Sequence, residues 1–377
     1  MGNYRPVSIL TSISKILERS VYIQVDGHCK SHGIIYPLQS GFRRNYSTDS
    51  CLIQIHDYIR TEISKGNYVG MMLLDVQKAF DSVNHQMLCK KIELAGIDNT
   101  WFKSYLEGRK QVVSVNNTIS TKKSINCGVP QGSLLGPWCY LLYSNDIASC
   151  VKCTLVLYAD DTILLTSHQN VNDVTEKLSE AARNCYHWLS NNFLSMHMGK
   201  TEVIFFSSKR KRKYIRNLTI SLHDNVIEPK REVKYLGLKM DNTLSGDAIV
   251  KDIVTKCNNR LKFLYRHRDA LDTKIRKTLA MALLQCHFDY AVSSWYMGLS
   301  KGNKSKLQIA QNKVVRFILN LHPRSTIGQN ELDRLGMLNT GQRAKQMILN
   351  HVFNIKHMQA PTYMYQNFNP IKHQYST

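Results

Sequence analysis

Thr154-Leu155-Val156-Leu157-Tyr158-Ala159-Asp160-Asp161-Thr162-Ile163-Leu164-Leu165 sets two adjacent carboxylates between two short apolar, β-prone runs. That pattern predicts a hairpin with acids at its tip. Paired acids beside a β-rich core are costly to ionise together, because like charges at close range repel. A cation is the usual remedy, and Mg²⁺ favours carboxylate oxygens, water and substrate phosphates. Taken alone, Asp-Asp reads equally well as a solvated turn. A second apolar run decides between them. Met71-Met72-Leu73-Leu74 reads as a strand buried on both faces and ends at Asp75. Beyond it, Val76-Gln77-Lys78-Ala79-Phe80-Asp81 resumes an apolar pattern of helical character. If the two segments are neighbours, Asp75 and Asp160 converge on a pair of divalent ions, the arrangement that serves in-line displacement at phosphorus.

Composition narrows the partner. The chain has 377 residues and a formal charge of +22, with a pI near 9.6. Such a surface attracts polyanions: nucleic acid first, an anionic membrane surface second. No apolar stretch of spanning length and no N-terminal signal pattern is present, so the expectation is an intracellular chain with no membrane partner. Ten cysteines at irregular spacings suit a reducing compartment. Cys150-Val151-Lys152-Cys153 lacks a second ligand pair and reads as a strand lead-in rather than a zinc site.

Periodicity organises the rest. Residues 1–70 mix helical and turn-rich segments, and strand-like runs occupy 71–245, among them Val203–Phe206. Val171, Val174, Leu178, Ala181, Cys185 and Trp188 recur three or four apart, which predicts an amphipathic helix packed on a sheet. Strands interleaved with helices point to an α/β or α+β core. From about residue 247 the pattern is helical. Val250, Val254, Cys257, Leu261 and Leu264 make one stripe; Leu307, Ala310, Val314, Phe317 and Leu321 make another. Lys251, Lys256, Arg260, Lys262, Arg266 and Arg268 surround the first. Lys209-Arg210-Lys211-Arg212-Lys213, the densest charge run, is expected in a hairpin loop; solvated loop, nucleic-acid contact and nuclear import signal all remain open for it.

Seven segments in order resemble the reverse transcriptase domain of non-LTR retrotransposons (LINE-type, jockey/RTE/CR1-like). Asn3-Tyr4-Arg5-Pro6-Val7-Ser8-Ile9 through Ser14–Glu18 is similar to the opening fingers motif, and Gln39-Ser40-Gly41-Phe42-Arg43 with Ser47-Thr48 to the second. Leu74-Asp75 to Phe80-Asp81 resembles the first catalytic motif. Gly128-Val129-Pro130-Gln131-Gly132-Ser133 resembles the nucleotide-pocket motif, and Tyr158-Ala159-Asp160-Asp161 the metal-binding box. Gly199-Lys200-Thr201-Glu202 and Lys234-Tyr235-Leu236-Gly237 resemble the two later palm motifs.

The resemblance implies an α+β right-hand polymerase: fingers at 1–70, palm at 71–246 with fingers elements inserted around 88–125, and a helical thumb with a C-terminal extension at 247–377. It implies RNA-directed DNA polymerisation from a 3′-hydroxyl primer, with an RNA template, a DNA primer, dNTPs and two Mg²⁺ ions, for which Mn²⁺ could substitute. Asp75, Val76, Asp160 and Asp161 are the expected metal site. Phe80 is the expected sugar gate, Gln131 and Gly132 the nucleotide pocket, and Arg5 and Arg43 the triphosphate contacts, with Arg44 a substitute for Arg43. Lys200 is the expected proton donor to pyrophosphate, and Lys251, Lys256, Arg260 and Lys262 are the expected duplex contacts. Asp146 is expected to cap or turn the backbone.

Only 74 residues precede Asp75, so the expectation is either one domain of a larger element-encoded protein that carries an endonuclease and acts in the nucleus, or a truncated copy. Residues 291–377 hold 11 Lys and Arg but only Glu331 and Asp333 as acids, too few for an RNase H site. Within catalysis the competing readings are an RNA-dependent RNA polymerase and an intron-type reverse transcriptase. A two-metal nuclease would have no use for Pro130-Gln131-Gly132. Outside catalysis, the alternative is a nucleic-acid-binding remnant of a retroelement.

Overall fold

A computed structural model describes residues 7–215, 218–223 and 225–367. Arg5 lies outside the described residues. The chain divides into two compact units, one of residues 1–44, 70–203 and 218–228, the other of 45–69, 204–217 and 229–377.

The first unit is built round the acid-bearing hairpin and the strand that ends at Asp75. Thr154–Tyr158 and Asp161–His168 form an antiparallel hairpin, closed by the Tyr158–Asp161 pair across a two-residue turn. The four-stranded sheet has the order Glu202–Phe206, Tyr68–Leu74, Asp161–His168, Thr154–Tyr158. Met71, Met72 and Leu74 are buried, as a continuous apolar run demands. The Val171–Asn191 helix starts at Asn170, whose side chain accepts from the Asn172 N–H, and packs on the Asp161–His168 strand. Val174, Leu178, Ala181, Cys185 and Trp188 face inward, each contributing about 1–3 kcal/mol of burial. The Leu135–Tyr143 helix is apolar on nearly every face and almost wholly buried.

Two short helices, His85–Leu94 and Thr100–Leu106, lead into an exposed ribbon in which Lys110–Gln111 pairs with Lys123–Ser124 and Ser114–Val115 with Thr118–Ile119. Asn116 and Asn117, both at positive φ, close that ribbon, as the tight twisted hairpin requires.

The second unit is mainly helical: Thr48–Ser64, Asp247–Tyr265, Thr273–Ala280, Lys301–Leu319 and Thr340–Lys356. A hairpin of Glu232–Tyr235 and Leu238–Asp241 joins them, turning on Leu236 and Gly237 at positive φ. No helix among the described residues is long and apolar enough to cross a membrane.

Three local expectations differ. Val76-Gln77 is not helical; it pairs with Ser195-Met196 as a two-residue ladder, because that edge offers backbone partners before the chain turns. The basic run is not a hairpin loop. It forms a 3₁₀ stretch, Lys209–Ile215, with Lys211 over the Tyr68 ring and donating to the Gly66 carbonyl at 2.6 Å. In the Asp247–Tyr265 helix the buried stripe runs through Ile253 rather than Val254. Cys150 and Cys153 are not bridged, and their segment leads into the Thr154–Tyr158 strand.

Candidate active site

Asp75 follows directly on the buried Tyr68–Leu74 strand, where the chain must leave the apolar core and a charged side chain can meet solvent. Its backbone carbonyl accepts from the His197 N–H at 2.8 Å, extending the Val76–Met196 and Gln77–Ser195 pairs. That short ladder brings in the Met198–Lys200 turn. The Lys200 ammonium lies 3.2 Å from Asp75 Oδ2, although the Lys200 side chain is largely exposed. An exposed ion pair of this kind is weak in stability terms, but it sets a mobile cation beside the first acid.

Asp160 occupies the hairpin turn and Asp161 opens the returning strand. Tyr140 ties them to the first motif. It is buried, and burial pushes its hydroxyl well above the ordinary phenol range, with the charges of Asp160 and Asp161 adding to the effect. The same ring carries Phe80, five residues after Asp75, at a centroid separation of 4.8 Å. Phe80 is half-buried and meets Phe42 edge-on at 6.0 Å. The residues at 75–81, 140 and 160–161 therefore share one neighbourhood.

The pocket loop is stitched to the first motif. The Val129 N–H donates to the Phe80 carbonyl at 2.8 Å and the Gly128 N–H to the Val83 carbonyl at 2.7 Å. Gly128 has φ +86, and a Cβ there would lie 2.7 Å from the Asp81 carbonyl oxygen. The Gln131 side-chain amide donates to Asp81 Oδ1 at 2.9 Å, which ties the loop's side chain to the first motif. Gly132, at φ +121, approaches Ser8 rather than open space: a Cβ would stand 2.6 Å from the Ser8 carbonyl oxygen, and the Ser8 N–H donates to the Gln131 carbonyl at 2.7 Å. Below the loop, buried Glu18 accepts from the Leu134 N–H at 2.7 Å and from the Tyr105 hydroxyl at 3.0 Å. A carboxylate at the start of the Leu135–Tyr143 helix also suits the helix dipole.

Other expected residues are engaged elsewhere. Arg43 Nη1 donates to the carbonyls of Tyr36, Pro37 and Gln39, which braces the segment behind the hairpin; Arg44 is exposed. Asp146 pairs with Lys91 at 2.6 Å, and that ammonium also lies over the rings of Tyr143 and Trp188. In the second unit Lys256 pairs with Asp252 at 2.5 Å, and Arg260 donates to the Leu283 carbonyl at 2.5 Å and contacts His287. Lys251 and Lys262 are exposed on their helix.

Four contributors were not singled out by sequence reasoning: Gln39, Asp81, Glu18 and Tyr140. Gln39, Glu18 and Asp81 stood inside quoted motifs, and a polar side chain at a fixed place in such a motif was the available signal.

Among the described residues no three His, Cys, Asp or Glu gather as a preformed metal cluster. The side-chain donors expected there, Asp75, Asp160 and Asp161, are all carboxylates. That all-oxygen mix fits a hard divalent cation. A mixed helix-and-sheet fold carrying these acids on a strand end and a hairpin turn is that of a right-hand polymerase. The family described as reverse transcriptase (RNA-dependent DNA polymerase) matches residues 1–240, and the chain belongs to it.

Curated relatives agree. The chain is 29% identical over 328 residues to a probable RNA-directed DNA polymerase from transposon X-element of Drosophila melanogaster, covering 84% of this chain and 36% of that one. It is 27% identical over 336 residues to the RNA-directed DNA polymerase from mobile element jockey of Drosophila funebris, with the same coverage of 84% and 36%. The chain thus spans about a third of the length of these relatives. A solved telomerase from Candida tropicalis superposes with a TM-score of 0.43 at 12% identity, over 81% of this chain and 55% of that one; the family assignment stands without it.

Proposed function

We propose that this chain copies RNA into DNA, extending a 3′-hydroxyl DNA primer with dNTPs. The observation that supports this best is that the strand running into Asp75 and the strand opening at Asp161 are neighbours in one sheet, with Phe80 of the first motif resting on the buried Tyr140 ring. A nuclease has no need of a gate and pocket loop joined by the Gln131–Asp81 hydrogen bond.

Asp75, Asp160 and Asp161, with the Val76 carbonyl, are the residues that would hold two Mg²⁺ ions, or Mn²⁺ in their stead. Bound there, the ions would activate the primer hydroxyl and stabilise departing pyrophosphate. Phe80 bounds the space for the incoming sugar and rejects a 2′-hydroxyl. Gln131, held by Asp81, lines the nucleotide pocket together with Gly132. Lys200 neutralises Asp75 at rest and donates a proton to pyrophosphate when that carboxylate is engaged. Arg5 contacts the triphosphate together with exposed Arg44, which takes the place expected for Arg43 because Arg43 is tied to backbone carbonyls, and the exposed Lys251 and Lys262 contact duplex phosphates, with Lys256 and Arg260 beside them. In this reading residues 1–70 act as fingers, 71–246 as palm with fingers elements around 88–125, and 247–377 as thumb and extension. The greater length of the relatives supports a larger element-encoded protein; in this reading it also carries an endonuclease and acts in the nucleus.

Primer extension on poly(rA)/oligo(dT) with Mg²⁺ and dTTP tests the reading. Wild type is expected to extend; Asp75→Asn and Asp160→Asn are expected to abolish extension while binding duplex nearly as well, since Lys and Arg supply affinity for phosphate. Duplex binding by wild type without extension would instead favour a non-catalytic remnant. Full activity in either variant would remove the assigned acids from the chemistry.

A further inference from the structure

The hairpin turn that carries the acids contains a residue in an unfavourable conformation. Ala159 has φ +56, the left-handed region that glycine adopts without cost and alanine does not. A two-residue hairpin demands positive φ at its first turn position, so the strain belongs to the turn. Something must hold it there.

Gln39 is 2% exposed and is spent on this turn. Its Oε1 accepts from the Ala159 N–H at 2.9 Å and from the Gly41 N–H at 2.8 Å, while its Nε2 donates to the Ala159 carbonyl at 3.3 Å. The flanking backbone continues the strap: the Ser40 N–H donates to the Leu157 carbonyl at 2.8 Å and the Leu157 N–H to the Leu38 carbonyl at 3.0 Å. Gly41 permits the approach, because a Cβ there would sit 2.3 Å from the Ala159 nitrogen. From the far side, Arg43 Nη1 ties down the carbonyls of Tyr36, Pro37 and Gln39, and the Tyr36 hydroxyl donates to the Leu155 carbonyl at 2.9 Å.

We infer that Gln39, with Gly41, is a positioning residue that clamps Ala159 in its left-handed turn and so fixes how Asp160 and Asp161 present their carboxylates. This rests on the reading of those acids as the metal-binding pair. Neither Gln39 nor Gly41 touches the reacting atoms; they act through one peptide unit. Their effect should therefore appear in the metal requirement rather than in nucleotide affinity.

The test compares full-length wild type, Gln39→Leu, Gly41→Ala, Ala159→Gly and the double variant Gln39→Leu/Ala159→Gly. Gln39→Leu and Gly41→Ala should raise the Mg²⁺ concentration for half-maximal primer extension by about tenfold or more, with KM for dTTP within about twofold. Glycine needs no clamp, so adding Ala159→Gly to Gln39→Leu should recover most of that loss. An unchanged Mg²⁺ requirement in Gln39→Leu, or a loss that Ala159→Gly does not recover, would leave Gln39 as packing and overturn the inference. Hydrogen exchange of the 155–162 segment reads the clamp without polymerase activity. The Ala159 amide should exchange about tenfold faster or more in Gln39→Leu than in wild type. If wild type extended no primer, the functional reading would fall, and the exchange rates alone would decide: equal rates in both proteins would overturn the clamp, and faster exchange in the variant would uphold it.

Discussion

Replacing Phe80 by valine separates a gate from a packing residue. The ring rests tilted on Tyr140 at 4.8 Å and meets Phe42 edge-on at 6.0 Å, yet remains partly exposed. Valine keeps the branched stem and removes the ring, and with it two aromatic interactions of about 0.5–1.5 kcal/mol each. Partial exposure keeps the total near ~1–2 kcal/mol, well short of the full cost of emptying a core site. For a chain of 377 residues that amounts to a fall of roughly 1–3 °C in melting temperature. Buried Tyr140 stays beneath as a floor. If the ring bounds the sugar, the vacated space admits a 2′-hydroxyl and the clash in the transition state disappears. The expected gain is about tenfold or more in the ratio of UTP to dTTP incorporation, equivalent to ~1.4 kcal/mol. Single-nucleotide incorporation with both substrates on one primer, alongside a thermal melt, measures the two effects separately. A parallel fall in both rates with a lower melting temperature and an unchanged ratio would refute the gate.

Three further outcomes are expected from the second unit. His56 is fully enclosed; burial, and then the Arg60 charge, lower its pKa from 6.5 to about 4, against smaller opposing effects from the Ser294 carbonyl at 2.9 Å and from Asp241. The unfolded chain takes up this proton first, so stability holds above about pH 6.5 and falls as pH drops towards 4, by on the order of 3 kcal/mol. His56→Gln should flatten that part of the melting-temperature profile, and an unchanged profile would mean that His56 titrates normally. Lys251→Glu with Lys262→Glu should weaken duplex binding and lower the log–log salt slope by about 0.9 for each phosphate that is no longer neutralised. Arg260→Gln should instead lower the melting temperature with little change in slope, since Arg260 donates to the Leu283 carbonyl at 2.5 Å; the reverse pattern would place Arg260 on the nucleic acid.

Much of the site was legible because its determinants are local. Alternation and apolar runs specify strands, and a two-residue interval between Tyr158 and Asp161 leaves only a tight hairpin, so acids at the tip followed from sequence. The three-and-four spacing from Val174 to Trp188 likewise fixed one helix face. The misplacement at Val76-Gln77 has the converse cause: a two-residue ladder has no period, and its partner, Ser195-Met196, lies far along the chain. The basic run at 209–213 misled because charge suggests exposure, whereas Lys211 spends its ammonium on the Tyr68 ring and the Gly66 carbonyl.

By itself, then, the sequence determined which short elements hold the acids and glycines of the proposed site: Asp75 at a strand end, Asp160 and Asp161 at a turn, glycines where the loop at 128–132 needs positive φ. Only the tertiary structure decided who meets whom. Lys200 beside Asp75, Asp81 on Gln131, Glu18 under Leu134 and Gln39 round Ala159 all join residues remote in the chain. It also decided which cations have protein partners, pairing Lys256 with Asp252 and Arg260 with the Leu283 carbonyl, while Lys251 and Lys262 stand exposed on the same helix. The reason is physical. Hydrophobic burial is nondirectional, and its period along the chain reports only which face turns inward. A hydrogen bond or ion pair requires a particular partner within about 3 Å, and that distance exists only once the elements have packed.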